Sequence, residues 1–209
     1  KGLYSGHNDH NYFEIAHTIR REFDANGGIY KGLRLYSFVD NHDVDRIASK
    51  LKVPGHIYPV YTLLFTLPGI PSIYYGSEWG IQGRKEGSND DFLRPAVDIK
   101  EVLENPDDPK LLEWVKLLGR IHAEEPSLAD GSYQELLLTN RQYAFARKLD
   151  GEGIVVAVNN DENPAELRIR IPEGGKSYIS LISKKEAVVQ DGCICVTLAP
   201  NESEIFKFK

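Results

Sequence analysis

The hydrophobic periodicity of this 209-residue chain switches once, between about residues 125 and 132, and a chain with two periodicities has to build two kinds of layer. Before the switch, helical and strand-like patterns alternate, which is the grammar of βα units. Asn11 followed by Glu14 resembles a capping box. Tyr12, Ala16, Ile19 and Phe23 then recur at helical spacing, and Asn26-Gly27-Gly28 supplies left-handed residues that stop a helix. A largely apolar run over residues 33–39, broken by Arg34 and Ser37, suits a parallel strand covered on both faces. It ends abruptly in Asp40-Asn41-His42-Asp43. A helix is expected over residues 57–67, closed by Pro68-Gly69, then a short strand over residues 71–75 that runs into Gly76-Ser77-Glu78-Trp79. Residues 80–106, rich in Gly, Asp, Asn and Pro, read as a long loop, and such a loop in a compact domain is more often functional than accidental. Asp108-Pro109 reads as an N-cap with proline at the first helical position, and Leu111, Val115, Leu118 and His122 mark the buried side of the helix that follows.

After the switch come short period-2 runs over residues 134–139, 142–149, 153–159, 165–171, 178–182, 194–198 and 204–208. Turn pairs such as Asp150-Gly151, Asn159-Asn160, Gly174-Gly175 and Asp191-Gly192 separate them. Seven short strands at this spacing predict an antiparallel sandwich or barrel-like sheet. The expected organisation is therefore an α/β segment over residues 1–126 and an all-β segment over residues 127–209.

Composition narrows the function classes. With 41% hydrophobic and 27% charged residues the chain has the balance of a globular protein rather than a disordered one. A net charge of −6 and a pI near 5.6 leave no basic footprint for nucleic acid. No stretch approaches the ~20 apolar residues of a membrane span; the longest greasy run, residues 58–67, is interrupted by Pro59 and Thr62. Cys193 and Cys195 fall on one face of a strand, too close in sequence for an ordinary stapling disulfide, and read as half-buried thiols. They assign no compartment. His7, His10 and His17 crowd the N-terminus, but a cap at Asn11 breaks their helical geometry, so surface or capping roles are expected rather than a metal site. Tyr133, Tyr143 and Tyr178 suit either core positions or a stacking platform.

In βα barrels, chemistry sits where strands end, because the following loops vary without disturbing the core. Asp40 to Asp43 and Glu78-Trp79 end the two expected strands. Asp43 offers a carboxylate and His42 a hydrogen-bond donor, a pair able to hold sugar hydroxyls and stabilise positive charge at an anomeric carbon. On chemistry alone, the same four residues read equally well as a polar turn capping the next helix.

The motif Phe38-Val39-Asp40-Asn41-His42-Asp43 resembles the one that ends the seventh barrel strand in the α-amylase family of glycoside hydrolases. Residues 69–78, Gly-Ile-Pro-Ser-Ile-Tyr-Tyr-Gly-Ser-Glu, resemble the motif around the eighth. Asp90 and Arg94, four apart and followed by Pro95, resemble the pair that holds a sugar one unit from the cleavage point. With the β-rich tail, the resemblance covers essentially the whole chain. It implies an incomplete (β/α)8 TIM barrel, its last two to three βα units, followed by an antiparallel β-sandwich.

It further implies that Asp43 braces the distorted sugar in the transition state, that His42, the second catalytic residue, bonds its hydroxyls, and that Asn41 binds substrate beside them. Arg46 is then expected to pair with nearby carboxylates, Asp90 and Arg94 to grip the neighbouring glucose, Glu78 to order its loop and Trp79 to stack on a ring or simply pack. The family's nucleophilic aspartate and acid/base glutamate have no counterpart: Asp9, Glu14, Glu22 and Asp24, the acidic residues before Asp40, lack the expected motif. The absence of a starting methionine agrees with a piece of a longer protein, inactive alone. The expected partners are an α-glucan and a complementing barrel segment or second copy. No cofactor is expected, since calcium, common in the family, would find its ligands in the portion not seen here. Two alternatives stay open: a related α-glucan transglycosylase or isomerase, and a non-catalytic carbohydrate-binding or assembly module.

Overall fold

The computed structural model describes residues 11–87, 89–105, 108–172 and 175–209, which leaves His7 and His10 outside the described residues. Helix α1 (Phe13–Phe23) turns Ala16 wholly inward beneath its buried N-cap residue Tyr12, as their spacing requires. It stops earlier than the glycine pair predicts: Asp24 is extended, and Gly27 and Gly28 both donate to the Asp24 carbonyl. At the other end, Asn11 Oδ1 accepts from the Phe13 amide rather than closing a capping box three residues on.

Strand β1 (Tyr36–Phe38) is shorter than the apolar run that announces it. It leads through α2 (Ile47–Lys50) to α3 (Ile57–Thr66), whose residues are buried apart from half-buried Tyr58. Strand β2 (Ile70–Ser72) then pairs in parallel with β1, Tyr36 opposite Ile70 and Phe38 opposite Ser72. Large apolar residues of this region, among them Leu33, Leu35, Tyr36, Phe38 and Ile70, are exposed. The strand is therefore not covered on both faces in this chain.

The loop expected over residues 80–106 contains a helix, α4 (Ile99–Glu104). Asp98 caps it, accepting from the Lys100 and Glu101 amides, and its acidic residue three positions on is a start signal that the high Gly and Asp content had hidden. Helix α5 (Leu111–Glu124) follows, with Asp108 Oδ1 accepting from the Lys110 amide, and α6 (Pro126–Asp130) leads into the sheets.

Among the described residues, eight antiparallel strands build the second half, β3 (Ser132–Leu138), β4 (Gln142–Leu149), β5 (Glu152–Asn159), β6 (Ala165–Arg170), β7 (Tyr178–Ser180), β8 (Val188–Gln190), β9 (Cys193–Leu198) and β10 (Ser203–Phe208). They form a five-stranded sheet in the order β3-β4-β5-β10-β7 and a three-stranded one in the order β6-β9-β8. Strand β8 was not expected: its three residues are all exposed, so nothing alternates.

Strands β4 and β5 are buried on both faces. Tyr143, Phe145, Ile154, Val156 and Val158 join α1, α3, α5 and α6 in one core. Ala144, Ala146, Val155 and Ala157 face a second core with Leu167 and Ile169 of β6 and Ile194 and Leu198 of β9. Period 2 thus serves two apolar layers at once. Tyr133, Tyr143 and Tyr178 are core residues, each at most 1% exposed, and not a sugar platform. The two cysteines are free and half-buried.

Candidate active site

Parallel pairing of β1 and β2 makes both strands deliver their following residues to one end of the sheet, and the site grows from those two exits. Val39 carries the chain inward, and Asp40 is buried at 2% exposure. Its Oδ2 accepts from the Ile47 amide (2.8 Å), which ties the strand end to the start of α2, and from Ser77 Oγ (2.7 Å), which ties it to the loop after β2. The polar-turn role is therefore real, and Asp40 fills it. Asn41 turns the chain outward, since its Oδ1 accepts from the Asp43 amide (2.9 Å). His42 and Asp43 emerge with side chains 58% exposed and touch each other, His42 Nε2 lying 3.2 Å from Asp43 Oδ2.

Arg94 closes the arrangement. Its Nε donates to the His42 carbonyl (3.1 Å), and its Nη2 reaches both Asp43 Oδ1 (3.2 Å) and Asp90 Oδ2 (2.9 Å). Lys85 Nζ lies 3.0 Å from the other oxygen of Asp90. The hydrogen bond from Lys85, then the charges of Lys85, Arg94 and His42, hold the Asp90 carboxyl below its ordinary value despite some burial. His42, Asp43, Asp90 and Arg94, which lie up to 52 residues apart in the chain, form one contiguous polar group on an open face.

Arg46 lies elsewhere than its expected role would put it. It is wholly buried. Its guanidinium donates to the carbonyls of Leu93 (3.1 Å) and Tyr75 (2.5 Å) and to Ser77 Oγ (3.2 Å). The same group stacks over the rings of Tyr74, 4.2 Å from the centroid, and Tyr75. No ion pair joins it to a carboxylate among the described residues. Glu78 and Trp79 are half-buried in the short turn Ser77–Trp79, beside α5, and no described hydrogen bond links either to the Arg94 group. Below them Tyr61, whose phenol burial raises far above its ordinary range, donates to the Ser77 carbonyl (2.8 Å).

Sequence reasoning missed Ser77, Tyr74 and Lys85. A lone lysine in a polar loop carries no signal, and the serine matters only because folding lays it between Asp40 and Arg46. Among the described residues, no three His, Cys, Asp or Glu side chains are grouped to hold a metal ion. None of the helices formed by described residues is long and apolar enough to cross a membrane.

Residues 14–123 match the sequence profile of the α-amylase catalytic domain. The β/α-amylase of Paenibacillus polymyxa is 29% identical over 180 residues, 81% of this chain and 14% of that protein. The cyclomaltodextrinase of Thermoanaerobacter pseudethanolicus is 26% identical over 194 residues, 92% of this chain and 31% of the relative. The chain thus spans less than a third of either curated relative. Among solved structures, the α-amylase of Geobacillus thermoleovorans, determined with acarbose, superposes with a TM-score of 0.73 at 26% identity over 84% of this chain and 39% of its own. With more than half of its residues in the catalytic-domain match, and the strand-end motifs gathered at one face, the chain belongs to the α-amylase family of glycoside hydrolases.

Proposed function

We propose that residues 1–126 are the last two to three βα units of a catalytic (β/α)8 barrel, that residues 127–209 form an antiparallel β-sandwich behind it, and that the whole protein hydrolyses α-1,4-glucosidic bonds of starch-like substrates with retention. The observation that carries this is the single guanidinium of Arg94, bonded at once to Asp43, Asp90 and the His42 carbonyl. Two separate motifs, the end of β1 and the loop bearing Asp90 and Arg94, converge there.

Cleavage of a glycosidic bond passes through an oxocarbenium-like transition state, with positive charge at the anomeric carbon. Asp43, aimed by Asn41 and held by Arg94, presents a fixed negative charge to that centre. His42 offers a ring N–H to sugar hydroxyls, while Asp90 and Arg94 grip the neighbouring glucose through donors and acceptors already oriented by each other. The nucleophile and the acid/base come from barrel strands other than β1 and β2, so this chain alone does not turn over. The exposed apolar residues of β1 and β2 are the face that a complementing barrel segment, or a second copy, covers.

Reducing-sugar release from soluble starch tests the assignment in the enzyme that carries this chain. Asp43→Asn should lower kcat by about 10²–10³-fold, the usual effect of removing one preorganised electrostatic group. The purified 209-residue chain should release nothing. An enzyme inert on starch and maltotriose, or an Asp43→Asn variant at full rate, would refute the proposal. Products longer than the maltotriose supplied would instead identify a transglycosylase.

A further inference from the structure

Arg46 is wholly buried, yet it holds the segments that bear Arg94 and Lys85 and, through Ser77, the strand end that leads to His42 and Asp43. Leu93, whose carbonyl it holds, is fully buried and immediately precedes Arg94. Tyr75 and Ser77, on the loop after β2, take two further hydrogen bonds. Tyr74 lies under its guanidinium and, on its other flank, 6.5 Å from the His42 ring. The Arg46 amide donates to the Gly83 carbonyl (2.9 Å), which anchors the loop bearing Lys85. Asp40, on the strand that carries His42 and Asp43, shares Ser77 Oγ with it.

We infer that Arg46 is a positioning residue for this site, a buried post whose grip on the Leu93 carbonyl and on Ser77 aims the exposed Arg94 at Asp43 and the His42 carbonyl. A planar fork with five donors can hold carbonyls from separate loops in fixed directions, which a lysine cannot. The exposed pair Arg94–Asp43 is too solvated to set its own geometry, because exposed ion pairs gain little and their long side chains stay mobile. Orientation must come from beneath, where Arg46, with Asp40 and Ser77, is buried in reach of both strand exits, and Arg46 alone of the three also holds the Leu93 carbonyl next to Arg94.

The test follows the Arg94 Nε–H by ¹⁵N NMR in the 209-residue chain, with amides of β4 and β5 as the folding control. In the unmodified chain, its hydrogen bond to the His42 carbonyl should slow solvent exchange by about tenfold or more relative to a free arginine. In Arg46→Lys and Arg46→Met that protection should vanish while the β4–β5 amides stay protected. Ser77→Ala, which removes one contact of the post, should give intermediate exchange even if both Arg46 variants fail to fold. Full Nε–H protection in any folded variant of the three overturns the inference. A second arm rests on the sugar-site proposal: calorimetry with maltotriose should show about tenfold weaker binding in Arg46→Lys, the loss expected for one mispositioned charge-assisted hydrogen bond. No binding even by the unmodified chain would count against the sugar site, while the exchange measurement would still decide the role of Arg46.

Discussion

Asp43 and Asp90 share one guanidinium, but their surroundings assign them different duties. Asp43 is 58% exposed on its side chain and turned outward, whereas Asp90 is at 25% and flanked by Lys85 as well as Arg94. Those cations hold the Asp90 carboxyl below its ordinary 3.8, so its contribution to stability is present at any pH above that value and is lost only as pH falls through the lowered one. Asp90→Asn should therefore lower the melting temperature at neutral pH, and the gap to the unmodified chain should narrow as pH falls below 3.8, as in about 1 M salt. A gap that persists at low pH would mean that the ion pairs are not its source. Asp90 and Arg94 were singled out by their resemblance to a family motif and Asp43 by its strand end, whereas the inward turn of Arg46 was not legible. An arginine after a site motif reads as a substrate or carboxylate contact, and its burial against carbonyls comes from packing among loops.

At the scale of elements, the β1–β2 pair depends on Gly69. Its φ is +134°, and a Cβ there would lie 2.2 Å from Ser37 Oγ and 3.0 Å from the Leu35 carbonyl. Gly69→Ala should destabilise the chain by about 1–3 kcal/mol in urea titration, the cost of a strained backbone plus a clash against the partner strand. Arg147 of β4 plays a comparable part further along. Burial lowers its guanidinium to about 10, yet it still donates to the carbonyls of Thr66 and Gly131, joining the end of α3 and the end of α6 to the sheet. Arg147→Met should cost about 1–3 kcal/mol, since buried carbonyls lose their donor. All seven expected strands start within two residues of observed ones, because turn pairs and alternation are local. The one expected over residues 178–182 begins where expected and ends at Ser180. Strand β8 and helix α4 escaped because each is short and owes its form to a partner strand or a single cap.

On the scale of the whole molecule, the two periodicities share one core. Leu118, Leu128, Phe145, Val156 and Ile205 belong to the same buried cluster, so the α/β and all-β halves should unfold together. Both tryptophans, Trp79 and Trp114, precede residue 126, so fluorescence reports the first half while far-ultraviolet circular dichroism follows the sheets. The two transitions should coincide, and Leu128→Ala should shift both by about 2–5 kcal/mol. Separate midpoints would show two independent cores. The exposed apolar residues of β1 and β2 also predict that the isolated chain self-associates as its concentration rises in sedimentation, and that Tyr36→Lys with Phe38→Lys suppresses this.

What the linear order of residues determined by itself was local: where periodicity changes, where strands stop, and which carboxylates stand at those stops. Short-range sterics and capping act over a few neighbours, so they can be read without coordinates. What only the tertiary structure decided was long-range: that Arg94 meets Asp43 across 51 residues, that Arg46 turns inward, and that the sheet is buried on both faces. Burial and hydrogen-bond partners at such separations depend on how whole layers pack, and no window of sequence contains that information.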